Sequence, residues 1–190
     1  MKFFTLEQSK ATYYADFVFY GLAVVALTAF LLVVGPREKQ LEIAVFEWIG
    51  LASWTVIEYG IHRFVLHGLQ PFSRWHEEHH RRPIALICTP TIFSATLIAT
   101  LVFLPALALI DLWSASALTL GILVGYLAFS TTHHAIHHWH SDSAWLNRRK
   151  YWHTLHHQQI KNPVCYGVTS AFWDYVFGSA PRKDVPQVKN

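Results

Sequence analysis

The chain has 190 residues, a length for one domain, and its two cysteines, Cys88 and Cys165, stand far apart and outside any C-x-x-C pair. That spacing excludes a disulfide framework and a thiolate metal site, and a net charge of only +3 without a recognisable binding motif excludes nucleic acid as a partner. A hydrophobic content of 53% and a mean hydropathy of +0.25 exceed those of an ordinary soluble domain and point to the membrane.

Residues 1–11 lack the charged, apolar and small-residue order of a cleaved signal peptide, so the first apolar run is expected to stay as an anchor. That run, residues 13–34, is interrupted only by Asp16 and stops at Gly35-Pro36. It is long enough for one crossing, which takes roughly 20 residues. A second span is predicted over 41–59, with Glu42, Glu47 and Glu58 on its edges, and the helix is expected to run on to about Leu66. The third is predicted over 84–110, with Pro90 and Pro105 as boundaries or kinks. The fourth is predicted over 112–132, so that little more than Asp111 separates it from the third.

With the N-terminus inside, the outer loops hold only Arg37 and Lys39 of the 15 lysines and arginines. The inner segments hold Lys2, Lys10, Arg63, Arg74, Arg81, Arg82, Arg148, Arg149, Lys150, Lys161, Arg182, Lys183 and Lys189. This is the bias of cytoplasmic loops. The same topology gathers every histidine on the cytoplasmic side, although the histidines played no part in the count. From Ser141 onward the chain is polar and mixed, as a cytosolic helical cap would be.

Thirteen histidines fall almost entirely into four clusters: His62-x4-His67, His76-x2-His79-His80, His133-His134-x2-His137-His138 and His153-x2-His156-His157. Neutral imidazole is the commonest protein ligand for transition metals. On a helix, residues three or four apart share a face, so His76, His79 and His80 point one way, as do His153, His156 and His157. In the third cluster one i, i+4 pair binds and the other packs. Five residues separate His62 from His67, so the helix is expected to end or bend near His67-Gly68. His140 falls outside the spacing. Glu58, four residues before His62, is a candidate to orient it, with Asp142 and Asp174 as further partners for ligand N–H groups. Arg63, Arg81 and Arg82 read as charge anchors.

Ten histidines shared by two ions give about five each, too many for four-coordinate zinc and suited to iron. A pair of irons can reduce O2 and break an unactivated C–H bond, a use for a metal site beside lipid chains. The rival reading is a membrane metal-binding or transport protein, which would carry polar ligands near the bilayer midplane. Here spans one, three and four hold almost none, and the histidines gather at one surface.

At this point the motifs resemble a known family. Glu58-Tyr59-x2-His62-Arg63-x3-His67, His76-x2-His79-His80, His133-x3-His137-His138 and His153-x2-His156-His157 occur in order. They are followed by Asn162-x3-Tyr166-Gly167-Val168-Thr169-Ser170-x-Phe172-Trp173-Asp174-x2-Phe177-Gly178. Together they resemble the membrane fatty acid hydroxylase / sterol desaturase superfamily of histidine-box di-iron proteins, over roughly residues 47–179. The resemblance implies an all-α bundle of four transmembrane helices under a cytosolic cap. It implies the ligands His62, His67, His76, His79, His80, His133, His137, His153, His156 and His157, with His134, His138, Glu58 and Asp174 as alternative ligands or their neighbours. It implies two iron ions, with zinc able to replace them in purified material, and O2 as co-substrate.

The expected reaction is hydroxylation of an aliphatic carbon in a fatty acyl chain or sterol. Lipid desaturation and carotenoid hydroxylation are alternatives on the same site, and the Phe172-Trp173-Asp174 tail favours the fatty acid hydroxylase side. There is no room before Tyr13 for a fused cytochrome b5-like domain, so a separate ferredoxin or cytochrome b5-type protein is expected to supply electrons. The membrane would be the plasma membrane in a bacterium and the endoplasmic reticulum in a eukaryote. Trp139, Trp152, Tyr166 and Phe172 are expected along the access path.

Overall fold

The computed structural model describes residues 7–158 and 164–180. Lys2, Lys161, Asn162, Arg182, Lys183 and Lys189 lie outside them. The described residues are helical and contain no strand; one isolated bridge joins Glu7 to Ile87. Among the described residues four stretches are long and apolar enough to cross a bilayer: Lys10–Val33, Arg37–Leu66, Thr91–Leu109 and Leu112–His138. The shortest has 19 residues, about 28 Å at 1.5 Å each, close to the hydrocarbon thickness.

Helix α1 (Lys10–Val33) starts at Ser9, whose hydroxyl accepts the Thr12 N–H at 3.1 Å. Helix α2 (Gln40–Gly60) passes without a break into a π-helical segment, Ile61–Leu66. Helix α3 (Phe72–Arg81) carries the second histidine cluster. Helices α4 (Thr91–Ile98) and α5 (Leu104–Leu109) are joined by a second π-helical segment, Ala99–Phe103, and act as one span. Helix α6 (Leu112–His138) is the most buried, and α7 (Ala144–Gln158) and α8 (Phe172–Val176) follow it.

Two sequence expectations for the third span are corrected. It begins at Thr91 and not at residue 84, because Arg82–Pro90 is irregular. The Ala85 N–H turns back to the Arg82 carbonyl, and the Gln8 N–H bonds to the Leu86 carbonyl at 2.9 Å. The segment reads as membrane because Ile87, Cys88, Thr89 and Pro90 line a cavity, and apolar side chains serve a cavity wall as well as a lipid face. Nor does Pro105 end the helix. The Leu104 N–H reaches back to the Ala99 carbonyl, an i→i−5 step, so the turn is already widened where the proline ring arrives.

Small residues set the packing of α2 on α6. A Cβ on Gly121 would stand 2.1 Å from the Glu47 carbonyl oxygen, and one on Gly50 would stand 2.1 Å from that of Leu118. Backbones this close leave room for neither, the usual device between membrane helices. At the end away from the histidines, Asp111 caps α6 through the Trp113 N–H at 2.9 Å and meets Lys39 at 3.0 Å. Gly121→Ala is therefore expected to destabilise the protein by about 1–3 kcal/mol, the cost of overpacking. Gly21→Ala, where a Cβ meets nothing within 4 Å, is expected to leave it unchanged. Thermal unfolding in detergent reads both.

Candidate metal centre

The histidines of all four clusters meet at the end of the bundle where α1 begins and α6 ends. His62, His67, His76, His80 and His156 offer nitrogens that all lie within 4.8 Å of one another. His79, His133, His137 and His153 form a second such group. In the first, His76 Nε2 is 3.0 Å from His62 Nε2 and 3.1 Å from His80 Nε2, and His67 and His156 face each other at 3.0 Å. In the second, His153 Nε2 stands 2.9 Å from Nε2 of both His137 and His157. His157 lies at the seam, its ring stacked on His80 at 4.1 Å and 4°.

The approach of His62 to His67 is explained by the π-helical segment. Its i→i+5 turns bring residues five apart onto one face, and the rings lie 5.3 Å apart. The helix does end at Leu66, as expected, but widening and not a bend aligns the pair. The triplets also behave differently from the expectation of a shared direction. His76 and His80 face the first group while His79 faces the second, and His156 faces the first while His153 faces the second. Helices α3 and α7 thus lie between the groups and serve both. In the doubled third cluster His133 and His137 turn inward. His134 accepts or donates at Tyr13 Oη, 3.1 Å away, and stacks on His138 at 4.6 Å. His140 and Asp142 are exposed.

Burial holds these rings neutral. Desolvation, followed by neighbouring imidazoles, pushes His79 down to about 3. His67 and His80 fall to about 4, mainly through burial. A neutral ring can share one proton with one neighbour, but His76 Nε2 faces two. His79 has no hydrogen-bond partner on either nitrogen, nor has His153 on Nδ1. Such a set of buried lone pairs suits a cation, and the two groups could each hold a metal ion.

Backbone carbonyls orient key rings. His62 Nδ1 meets the Tyr166 carbonyl at 2.5 Å, and His156 Nδ1 meets that of Val164 at 2.8 Å. Both carbonyls belong to residues 164–171. Here the expectation for Glu58 is corrected: its oxygens bond to this segment and not to His62. They accept the Val168 and Thr169 N–H groups at 2.8 and 2.9 Å and the Thr169 hydroxyl at 2.5 Å. Asp174 accepts the Tyr166 and Gly167 N–H groups at 2.8 and 2.9 Å and the Ser179 hydroxyl at 2.8 Å. A Cβ on Gly167 would lie 1.9 Å from the Ser170 carbonyl oxygen, so this turn takes no side chain. Cys165 holds a left-handed φ of 57°, of order 1–3 kcal/mol of strain outside glycine, stabilised by its N–H bond to Ser179. Two buried carboxylates therefore clamp the loop that aims two histidines.

Beside the histidines lies a cavity of about 580 Å³. His62 and His76 of one group and His79 and His133 of the other line it, with Phe17, Leu66, Trp75, Phe93 and Phe129 as apolar walls. The expected access residues are elsewhere. Trp139 and Phe172 face outward, Trp152 is buried against Tyr175, and Tyr166 packs beneath His62, His67 and His156. The real lining, including Tyr13, Asp16 and Cys88, was not legible, apart from one signal: Asp16 is the lone carboxyl inside the first span.

Two outcomes are expected. Glu58→Ala frees the loop and leaves its N–H groups unpaired, so metal content measured after gel filtration should fall even though Glu58 touches no histidine. Metal should also be retained below the ordinary histidine value of 6.5 and released as the pH approaches about 4, where His67 and His80 protonate. The sign follows from linkage: their depressed values leave stability intact above 6.5 and erode it as the pH falls toward 4. Metal content at stepped pH measures this.

The fatty acid hydroxylase family model matches residues 48–179. The dihydroceramide fatty acyl 2-hydroxylase FAH2 of Arabidopsis thaliana is 34% identical over 143 residues, 70% of this chain and 59% of that protein. The ceramide very long chain fatty acid hydroxylase SCS7 of Saccharomyces cerevisiae is 33% identical over 159 residues, 74% of this chain and 39% of that protein. The chain thus spans about 40% to 60% of the length of these relatives. A solved structure of full-length scs7p, in which only the hydroxylase domain is visible, superposes with a TM-score of 0.74. It is 25% identical and covers 97% of this chain and 71% of that one. The chain belongs to the fatty acid hydroxylase family.

Proposed function

We propose that the protein hydroxylates an aliphatic carbon of a lipid acyl chain, with two iron ions held by its two histidine groups. The observation that carries this is the cavity, whose lining includes histidines of both groups together with apolar side chains of all four membrane spans. His62, His67, His76, His80 and His156 hold one ion, and His79, His133, His137, His153 and His157 hold the other. Bound iron supplies the reduction of O2 and the oxidation of the C–H bond. The relatives' names, acyl 2-hydroxylase and ceramide fatty acid hydroxylase, support an acyl chain as substrate.

The chain's own residues do the rest. Phe17, Leu66, Trp75, Phe93 and Phe129 receive the apolar chain and exclude water. The Tyr166 and Val164 carbonyls hold His62 and His156 in the orientation that presents Nε2 to an ion. Electrons come from a separate ferredoxin or cytochrome b5-type protein. The charge bias supports a cytoplasmic N-terminus and histidine end, with α3, α7 and α8 forming the cytosolic cap.

Cells making the protein should contain two irons per chain by elemental analysis and a lipid heavier by one oxygen. The His133→Ala, His137→Ala variant should lose one of the two irons and the oxidised lipid, while His134→Ala, His138→Ala should keep the metal. A lipid lighter by two hydrogens would make the protein a desaturase, and bound metal with no lipid change would favour a binding protein.

A further inference from the structure

One polar feature of the cavity is not used by metal binding. Asp16 is 5% exposed, sits in an otherwise apolar span, and lines the cavity wall. A carboxyl inside a membrane is costly, and such groups mark functional sites. Thr91 donates its hydroxyl to Asp16 Oδ1 at 2.7 Å. The Tyr126 side chain stands beside the same carboxyl. A carboxyl has about four acceptor positions on two oxygens, so these neighbours leave acceptor capacity. Holding Thr91 and Tyr126 takes only acceptor oxygens and needs no ionisable group. Asp16 also precedes residue 48, so it lies outside the segment matched by the family.

Its depth is informative. Tyr13, three residues earlier and about 4.5 Å along the helix axis, reaches His134, the neighbour of His133. Asp16 is thus about one helical turn from the level of the histidines. The cavity lining also carries the polar side chains Tyr13, Thr96, Tyr126 and Ser130.

We propose that Asp16 determines specificity: its carboxyl accepts a hydrogen bond from a hydroxyl or amide N–H of the lipid, and it rejects lipids with an anionic end. This inference rests on the proposed hydroxylation and deepens it. A donor held one turn from the histidines presents to them a carbon near the polar end of the lipid, and not the far end of its chain.

The test is binding of radiolabelled N-acyl sphinganine to the iron-loaded full chain in detergent, alongside its hydroxyl-methylated ether, its N-methyl amide and the free fatty acid. The wild type should bind the parent lipid about tenfold more tightly than the derivative lacking the donor that Asp16 holds, the worth of one hydrogen bond. A weak ether identifies the hydroxyl, and a weak N-methyl amide identifies the amide. Asp16→Ala should bind all neutral forms about equally and bind the free fatty acid better than the wild type does. Asp16→Asn, which keeps an acceptor oxygen but no charge, should retain the preference among neutral forms and bind the free fatty acid better than the wild type; unchanged rejection of the free acid in this variant overturns the proposal even if the alanine variant does not fold. Wild-type indifference to both derivatives, or a full preference in folded Asp16→Ala, overturns the proposal. Turnover is scored separately. Asp16-dependent binding without product would sink the hydroxylase reading alone, and product without Asp16-dependent preference would sink this one alone.

Discussion

The structure depends on keeping many neutral imidazoles with their nitrogens face to face inside a buried volume. Each ring has two nitrogens, and each nitrogen needs a partner once water is gone. Part of the solution is a division of labour within the ring. At His62 and His156, Nδ1 is taken by a backbone carbonyl, which leaves Nε2 free to face its neighbours. Burial adds the second part, since a charged ring would be expelled from this environment. The rings therefore stay in the form that can donate a lone pair.

Those carbonyls are only as well placed as the loop that bears them. Residues 164–171 form no regular element, so their N–H groups must be satisfied by other means. Glu58 from α2 and Asp174 from α8 supply the acceptors, and Gly167 allows the turn between them. The two carboxylates are buried because N–H and hydroxyl donors surround them. The path from Glu58 to the histidines thus runs through backbone, with two hydrogen-bonded steps between a carboxylate and a ring.

The membrane shapes the other half of the design. Spans pack closely where small residues permit, as at Gly50 and Gly121. Beside α6 lies the cavity that is apolar along most of its wall and ends at the histidines. Both π-helical segments serve function or accommodation in this frame. One widens α2 so that His62 and His67 align; the other lets the third span carry Pro105 without breaking.

Much was determined by the sequence alone. Four apolar runs, the histidine spacings and the order of the boxes are local patterns, and local patterns set helices, spans and the types of ligand available. They located three spans closely and named His62, His76, His80, His133, His137 and their partners as a group. Tertiary structure decided which histidine faces which group. Residues three and four apart on one helix share a face, yet a helix lying between two sites sends His79 and His76 to different ones. It also decided that residues 84–90 form no helix and that 87–90 wall a cavity, because hydropathy does not separate lipid from the protein interior. And it decided what Glu58 touches. A carboxylate four residues from a histidine is within reach of it, but three donors 110 residues or so along the chain were the better partners for a buried acceptor.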